Sequence, residues 1–130
     1  MDEKENRKEI GDLAFEYERK YGGCTQSVLA AALNTFDFIS EEIFEASTGL
    51  AGGLGLTGKT CGALIGASMI LSARRPRTYD EIEDPEEIRF EAYEMVKELC
   101  DRFEREYGST KCLDIQTELM GKYYNLWIRV

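Results

Sequence analysis

The chain has 130 residues, with 25 acidic and 16 basic side chains and a formal net charge of −9. This length predicts a single domain that buries enough surface to fold without disulfide bonds. The acidic balance argues against nucleic acid as a partner, because nucleic-acid binding draws on basic patches. Histidine is absent, which excludes Cys–His dyads, Ser–His–Asp triads, His-ligated zinc and haem held by histidine.

Targeting and membrane signals are missing from the sequence. Residues 1–9 are strongly charged and lack the apolar centre of a signal peptide. The longest apolar run, 61–73, is shorter than the roughly 18 residues that a membrane-spanning helix needs. We therefore expect a cytoplasmic protein with no membrane insertion. In that compartment thiols stay reduced unless they are catalytic, sensing or metal-bound.

The first half of the chain predicts three helices. Apolar residues at helical spacing predict an amphipathic helix over Glu3–Tyr21, which Gly22 ends. A second, apolar helix is predicted to begin near Cys24. Ser40 is a good N-cap for a short third helix. A loop with five glycines between residues 49 and 58 follows.

The second half predicts three more helices. The first runs over Thr60–Ser72 and is expected to be buried. Its small residues recur every fourth position, which lets another backbone come close. An Asp-Pro-x-Glu capping motif at 84–87 predicts a long helix from Pro85 to Tyr107. The last helix is predicted to begin near Thr110.

These elements predict an all-α fold, an antiparallel bundle of about five helices with a glycine-rich loop before the central small-residue helix. We divide the single domain, 1–130, into an N-terminal helix (1–22), a cysteine-bearing region (23–120) and an apolar tail (121–130). The tail carries aromatic side chains and continues through Ile128. Exposed to water, the tail would form an apolar patch that promotes association, so we expect it to dock on the body or on another subunit.

Three of the four cysteines share one kind of placement. Cys24, Cys61 and Cys112 each follow a break signal and precede a helix-like run. A helix start offers unpaired N–H groups and a partial positive charge, so a thiol there is expected to ionise more readily. The thiolate is both the nucleophile and the metal ligand, so these three are the candidate catalytic residues and candidate metal ligands. Cys100 lies within a predicted helix and is expected to be a packed side chain.

The residues leave several functions open. The three thiols can perform thiol–disulfide chemistry, or they can hold an iron–sulfur cluster or zinc with a further ligand. A non-catalytic helical interaction module, for example a homodimer, is a third alternative. The sequence has no CxxC and no haem-attachment motif, and it does not identify a cofactor or a redox partner.

Nucleotide binding is a minor alternative. Residues 53–60 match the phosphate-loop pattern GxxxxGK[ST] at every required position. A phosphate loop follows a buried parallel strand, but residues 43–50 do not have the composition of one. No later strand ends in a magnesium-binding Asp.

The cysteine-bearing stretches resemble the C-GCAxxG-C-C family of redox-active proteins. The resemblance is carried by GCTQSV at 23–28, Gly52-Gly53, CGALIG at 61–66 and the segment 103–112, and it covers about 21–120. It implies a redox role, with family genes often near transporter genes and the domain sometimes joined to haem-carrying modules. With this resemblance, the leading hypothesis makes Cys24 and Cys61 the reactive pair and Cys112 the resolving thiol.

The resemblance also implies a fourth cysteine, a few dozen residues beyond the Cys112 helix. The sequence ends at Val130 before that position, and Cys100 matches it in neither order nor spacing. We therefore interpret the chain as a shortened member of the family or as the truncated product of a longer gene.

Overall fold

A computed structural model describes residues 3–127 of the chain. Within this range the only extended pairing is an isolated antiparallel bridge between Thr60 and Lys111. The prediction of an all-α fold is confirmed, and the number of helices is close to that expected. The helices are α1 (Glu3–Tyr21), α2 (Cys24–Leu33), α3 (Glu41–Ala46), α4 (Gly62–Arg74), α5 (Ile88–Tyr107) and α6 (Cys112–Met120).

Helices α2 and α4 form the centre of the fold. Helix α2 packs against α1, α3 and α4, and α4 packs in addition against α5. Helix α4 is less buried than predicted, because only one of its sides faces α2. No helix of residues 3–127 combines the length and apolar character needed to cross a bilayer. The buried apolar side chains are Leu29, Ala31, Ala32, Ile39 and Leu64.

Glycines on α4 allow it to approach α2 closely, as the small-residue spacing predicts. A Cβ atom at Gly66 would lie 3.1 Å from both the Thr25 carbonyl oxygen and the Val28 Cβ. At Gly62 a Cβ would overlap with the Cys24 sulfur and lie 2.6 Å from the Thr25 hydroxyl. The first turn of α4 therefore tolerates no side chain at the position that faces α2.

Polar side chains of α2 anchor the loops that surround it. The Thr25 hydroxyl, which is fully buried, donates to the Leu50 carbonyl at 2.9 Å. The Gln26 amide donates to the Phe44 carbonyl at 3.0 Å. These bonds fix the start of the glycine-rich loop and the end of α3 against α2.

Helix α5 begins at Ile88 rather than at Pro85. The Asp84 carboxylate, whose side chain is 1% exposed, accepts from the N–H groups of Ile88 at 2.8 Å and Arg89 at 3.1 Å. Burial opposes its ionisation, but these bonds and the Arg89 guanidinium outweigh burial and lower the pKa of Asp84. Asp84 therefore does cap α5, although the first turn of this helix begins at Ile88 and not at Pro85. Glu87 does not complete the expected capping box, because its φ of 55° is left-handed.

Helices α4 and α6 also begin later than predicted. The sequence places their starts at Thr60 and Thr110, whereas the structure begins them at Gly62 and Cys112. The intervening residues are used by the antiparallel bridge, which requires an extended backbone.

We expect Gly62→Ala to lower the free energy of unfolding by about 1–3 kcal/mol, because the added Cβ overlaps with atoms of α2. Gly11→Ala is the matched control. Gly11 lies on α1 with no atom within 4 Å of its Cβ position, so alanine should raise stability by roughly 0.5–1 kcal/mol. Urea denaturation measures both changes. A Gly62→Ala protein as stable as the wild type would contradict the close approach of α2 and α4.

Candidate functional site

The three candidate cysteines lie together at helix N-termini. Cys24 is the first residue of α2, Cys61 is the N-cap of α4 and Cys112 is the first residue of α6. The Cys24 sulfur lies against Gly62, the residue that follows Cys61. Charges on Cys24 and on Cys112 both act on Cys61. All three are free, half-buried thiols, so the structure brings the sequence-predicted residues to one place.

Backbone pairing holds Cys61 next to Cys112. Segments 59–61 and 110–112 run antiparallel around a single bridge. The Cys61 N–H donates to the Thr110 carbonyl at 2.8 Å, and the Cys112 N–H donates to the Lys59 carbonyl at 2.6 Å. In this register Cys61 and Cys112 are diagonal neighbours on one face of the pair, with Cα atoms about 7–8 Å apart in a regular ladder. A disulfide needs Cα atoms about 4.4–6.8 Å apart, so a bond between these two residues requires their backbones to move closer together.

The Cys61 thiol holds its proton more firmly than a free thiol. Burial is the largest cause of its raised pKa, and neighbouring charge at Cys24 and Cys112 acts in the same direction. The N–H groups of Leu64 and Ala63 lower the pKa, but less than burial raises it, and no cap hydrogen bond of good geometry forms. The expectation that a helix start makes this thiol ionise readily is therefore wrong for Cys61.

The environment of Cys112 includes a residue that sequence reasoning missed. The Gln116 Nε2 donates to the Cys112 sulfur at 3.0 Å. The Gln116 Oε1 accepts from the Tyr124 N–H at 3.3 Å. Gln116 lies one helical turn after Cys112, and this i,i+4 spacing was the available signal. The bond to the tail depends on tertiary structure and has no local signature.

The glycine-rich loop pairs its own backbone groups. The N–H groups of residues 55–59 all donate to carbonyls within residues 49–54, at 2.9–3.2 Å. A phosphate loop needs such N–H groups free to surround phosphate. The element before the loop is α3 rather than a strand. The structure therefore gives no support to nucleotide binding by this motif.

The aromatic tail docks on the glycine-rich loop of the same chain. A Cβ at Gly58 would lie 3.2 Å from the Tyr123 hydroxyl, and one at Gly52 would lie 3.0 Å from the Leu126 Cδ1. Trp127 stays 65% exposed. Docking on the body is thus observed for Tyr123 and Leu126, whereas Ile128 lies outside the described residues.

A preformed metal centre is not found. Among the described side chains, residues 7–127, no group of three or more His, Cys, Asp or Glu is arranged to hold a metal ion. The three thiols are adjacent, but they do not converge on one point at metal–sulfur bonding distance. The iron–sulfur or zinc alternative at Cys24, Cys61 and Cys112 stays a prediction.

The fourth cysteine, Cys100, lines an apolar groove of about 840 Å³ between α4 and α5. Thr60, which precedes Cys61, lies at the edge of the same groove, so the groove adjoins the thiol cluster. The apolar lining includes Leu64, Ile65, Met69, Ala92 and Val96.

The fold and the site define an all-α protein with three free thiols gathered at helix N-termini. The chain belongs to the family described as "Putative redox-active protein (C_GCAxxG_C_C)", whose family model matches residues 23–126. The match contains all four cysteines and Gln116, and it extends past Met120 into the tail. No curated protein and no solved structure matches the chain.

We expect alkylation of Cys61 to reach its half-maximal rate above pH 9.0, the usual thiol pKa, because burial and neighbouring charge disfavour the thiolate. In Cys24→Ser one repulsion is lost, so the midpoint should fall yet stay above 9.0, since burial is the larger cause.

Iodoacetamide labelling of the full chain, with each cysteine quantified by mass spectrometry, measures this midpoint. Unfolding the protein in urea is the control and should restore the usual value. A midpoint at or below 9.0 in the folded protein would contradict the assigned environment.

Proposed function

We propose that the protein is a thiol–disulfide redox protein that uses Cys24, Cys61 and Cys112. The observation that supports this most directly is the position of Cys61, which the antiparallel bridge pairs with the segment of Cys112 and whose neighbour Gly62 lies against the Cys24 sulfur. The family description independently supports a redox role. Two neighbouring thiols of one chain can reduce a partner disulfide and form an internal disulfide, whereas isolated thiols form only mixed disulfides.

The reaction requires a disulfide-bearing partner. A protein thiolate attacks one partner sulfur, a mixed disulfide forms, and the first partner thiolate leaves and takes up a proton. A second protein thiol loses its proton, attacks the mixed disulfide and releases the other partner thiol. The protein then holds one internal disulfide and has given up two electrons and two protons, and the partner disulfide has become two thiols. The reverse sequence oxidises a dithiol.

Cys61 is best suited to the second attack. Its raised pKa keeps it protonated at neutral pH, so it is a poor first nucleophile. It also lies next to both other thiols and can resolve a mixed disulfide on either of them. This assignment differs from the sequence-based hypothesis, in which Cys112 was the resolving thiol. In a reducing compartment such as the cytoplasm, the resting state is the trithiol.

Oxidation with bis(2-hydroxyethyl) disulfide should give an internal disulfide that contains Cys61, seen as the loss of two hydrogen atoms per chain. Cys61→Ser should instead accumulate mixed disulfides, because the resolving thiol is gone. Cys100→Ser is the matched control and should behave as the wild type. Peptide mapping without reduction identifies the linked residues.

An oxidised protein in which Cys61 remains a free thiol would overturn this function. Metal analysis of an anaerobically purified sample separates it from the iron–sulfur or zinc alternative, which predicts stoichiometric metal and protection of the same thiols from labelling.

The α4–α5 groove favours a second proposal, self-association. Helix α5 has 20 residues and none is buried. Phe90 and Tyr93 are 47% and 56% exposed. Two α4–α5 pairs from two copies of the chain would cover these faces and complete a four-helix bundle.

We expect the wild type to sediment as a dimer under reducing conditions and Val96→Glu to sediment as a monomer, because association would remove the new carboxylate from water in a largely apolar groove. Phe15→Glu is the control, since Phe15 is 66% exposed on α1. Circular dichroism checks that both variants fold. A wild type that stays monomeric at high concentration would exclude this arrangement.

A further inference from the structure

The Gln116 side chain bridges the thiol cluster and the tail. Its Nε2 donates to the Cys112 sulfur at 3.0 Å and its Oε1 accepts from the Tyr124 N–H at 3.3 Å. Because the Tyr124 N–H can only donate, it engages the amide oxygen and leaves the NH₂ group directed at sulfur. The orientation of this amide is therefore set by the docked tail.

This bond distinguishes Cys112 from Cys24. A hydrogen-bond donor stabilises a thiolate more than a neutral thiol, since bonds to a charged acceptor are roughly twice as strong. The Cys24 sulfur instead packs against Gly62, and no donor from the described side chains, residues 7–127, forms a hydrogen bond to it. Of the two thiols that flank Cys61, only Cys112 has a positioned donor.

We propose that Gln116 is a positioning residue that directs the Cys112 sulfur to the first attack on a partner disulfide, with the docked tail fixing the orientation of its amide. The proposal rests on the thiol–disulfide function above and assigns its first step. The Cys112 sulfur bonds to one sulfur of the partner disulfide, and the other partner sulfur leaves as a thiolate that is then protonated. Cys61 gives up its proton and attacks the Cys112 sulfur. This yields a Cys61–Cys112 disulfide and a second partner thiol.

The tail thereby becomes part of the thiol site. Tyr123 and Leu126 pack against Gly58 and Gly52 of the glycine-rich loop. This docking places the Tyr124 N–H beside Gln116. The loop therefore supports Cys112 twice: Gly58 and Lys59 accept from the first N–H groups of α6, and the glycines seat the tail.

The test compares three full-length variants, each in the Cys61→Ser background, by the rate at which bis(2-hydroxyethyl) disulfide forms a mixed disulfide on Cys112. Gln116→Leu removes the donor at similar volume and should slow this reaction several-fold near neutral pH. Gln116→Glu places a negative charge beside the reacting sulfur and should slow it further. Thr117→Ala is the matched control on α6, because its hydroxyl bonds only to the Leu113 carbonyl of its own helix.

The rate of mixed-disulfide formation on Cys24, read in the same samples, serves as an internal control and should not change. Loosening of α6 alone would expose Cys112 and speed its reaction. An unchanged Cys112 rate in Gln116→Leu, or an equal decrease in Thr117→Ala, would overturn the positioning role.

The assignment of the first attack is tested in Cys61→Ser with bis(2-hydroxyethyl) disulfide. The mixed disulfide should form on Cys112, and adding Gln116→Leu should slow its formation several-fold near neutral pH. Mixed disulfide on Cys24 instead would refute the assignment. Failure of the wild type to form any disulfide containing Cys61 would overturn the redox function itself. This outcome is measured on the wild-type protein and is therefore distinct from the result in Cys61→Ser.

Discussion

The pairing of segment 59–61 with segment 110–112 is the contact on which the thiol site depends. It consists of one antiparallel bridge with flanking backbone hydrogen bonds of 2.6 and 2.8 Å. These bonds join parts of the chain that are far apart in sequence, so their formation closes a long loop against chain entropy. The glycine-rich loop, α6 and the tail all take their positions from this pairing. It sets where α4 and α6 begin, and so it places Cys61 and Cys112 at adjacent helix starts.

Burial and helix position act in opposite directions at this site, and burial prevails at Cys61. The first turn of α4 offers N–H groups that favour a thiolate, yet desolvation and neighbouring charge raise the pKa of Cys61. A cluster of equally ionised thiols would repel itself. A central thiol that keeps its proton relieves that repulsion. Under the proposed function, this thiol acts as a nucleophile only after a neighbour has reacted, and the same physical conflict would divide the roles among chemically identical side chains.

Much of the fold follows from local signals in the sequence. Helical periodicity and glycine stops predict α1 and α2 well, and the Asp84 cap is recognisable although its helix begins at Ile88. The shared placement of the cysteines at helix starts selected the candidate site residues, and all three do lie at helix N-termini, while their functional role stays a prediction. Three features were not accessible because they depend on contacts distant in sequence: the bridge, the burial of Cys61 and the Gln116 bond to the tail. Sequence therefore identifies the thiols, while tertiary contacts determine how each behaves.

An odd number of thiols suits the geometry of the site. Cys61 is adjacent to both Cys24 and Cys112, but it can bond to only one of them at a time. Any internal disulfide through Cys61 therefore leaves a third thiol free beside it. Under the proposed function that thiol can attack the same disulfide. Exchange would convert a Cys61–Cys112 disulfide into a Cys24–Cys61 disulfide, or the reverse, without an external oxidant. The glycine at position 62 makes this arrangement physically possible, because any side chain there would displace the Cys24 sulfur.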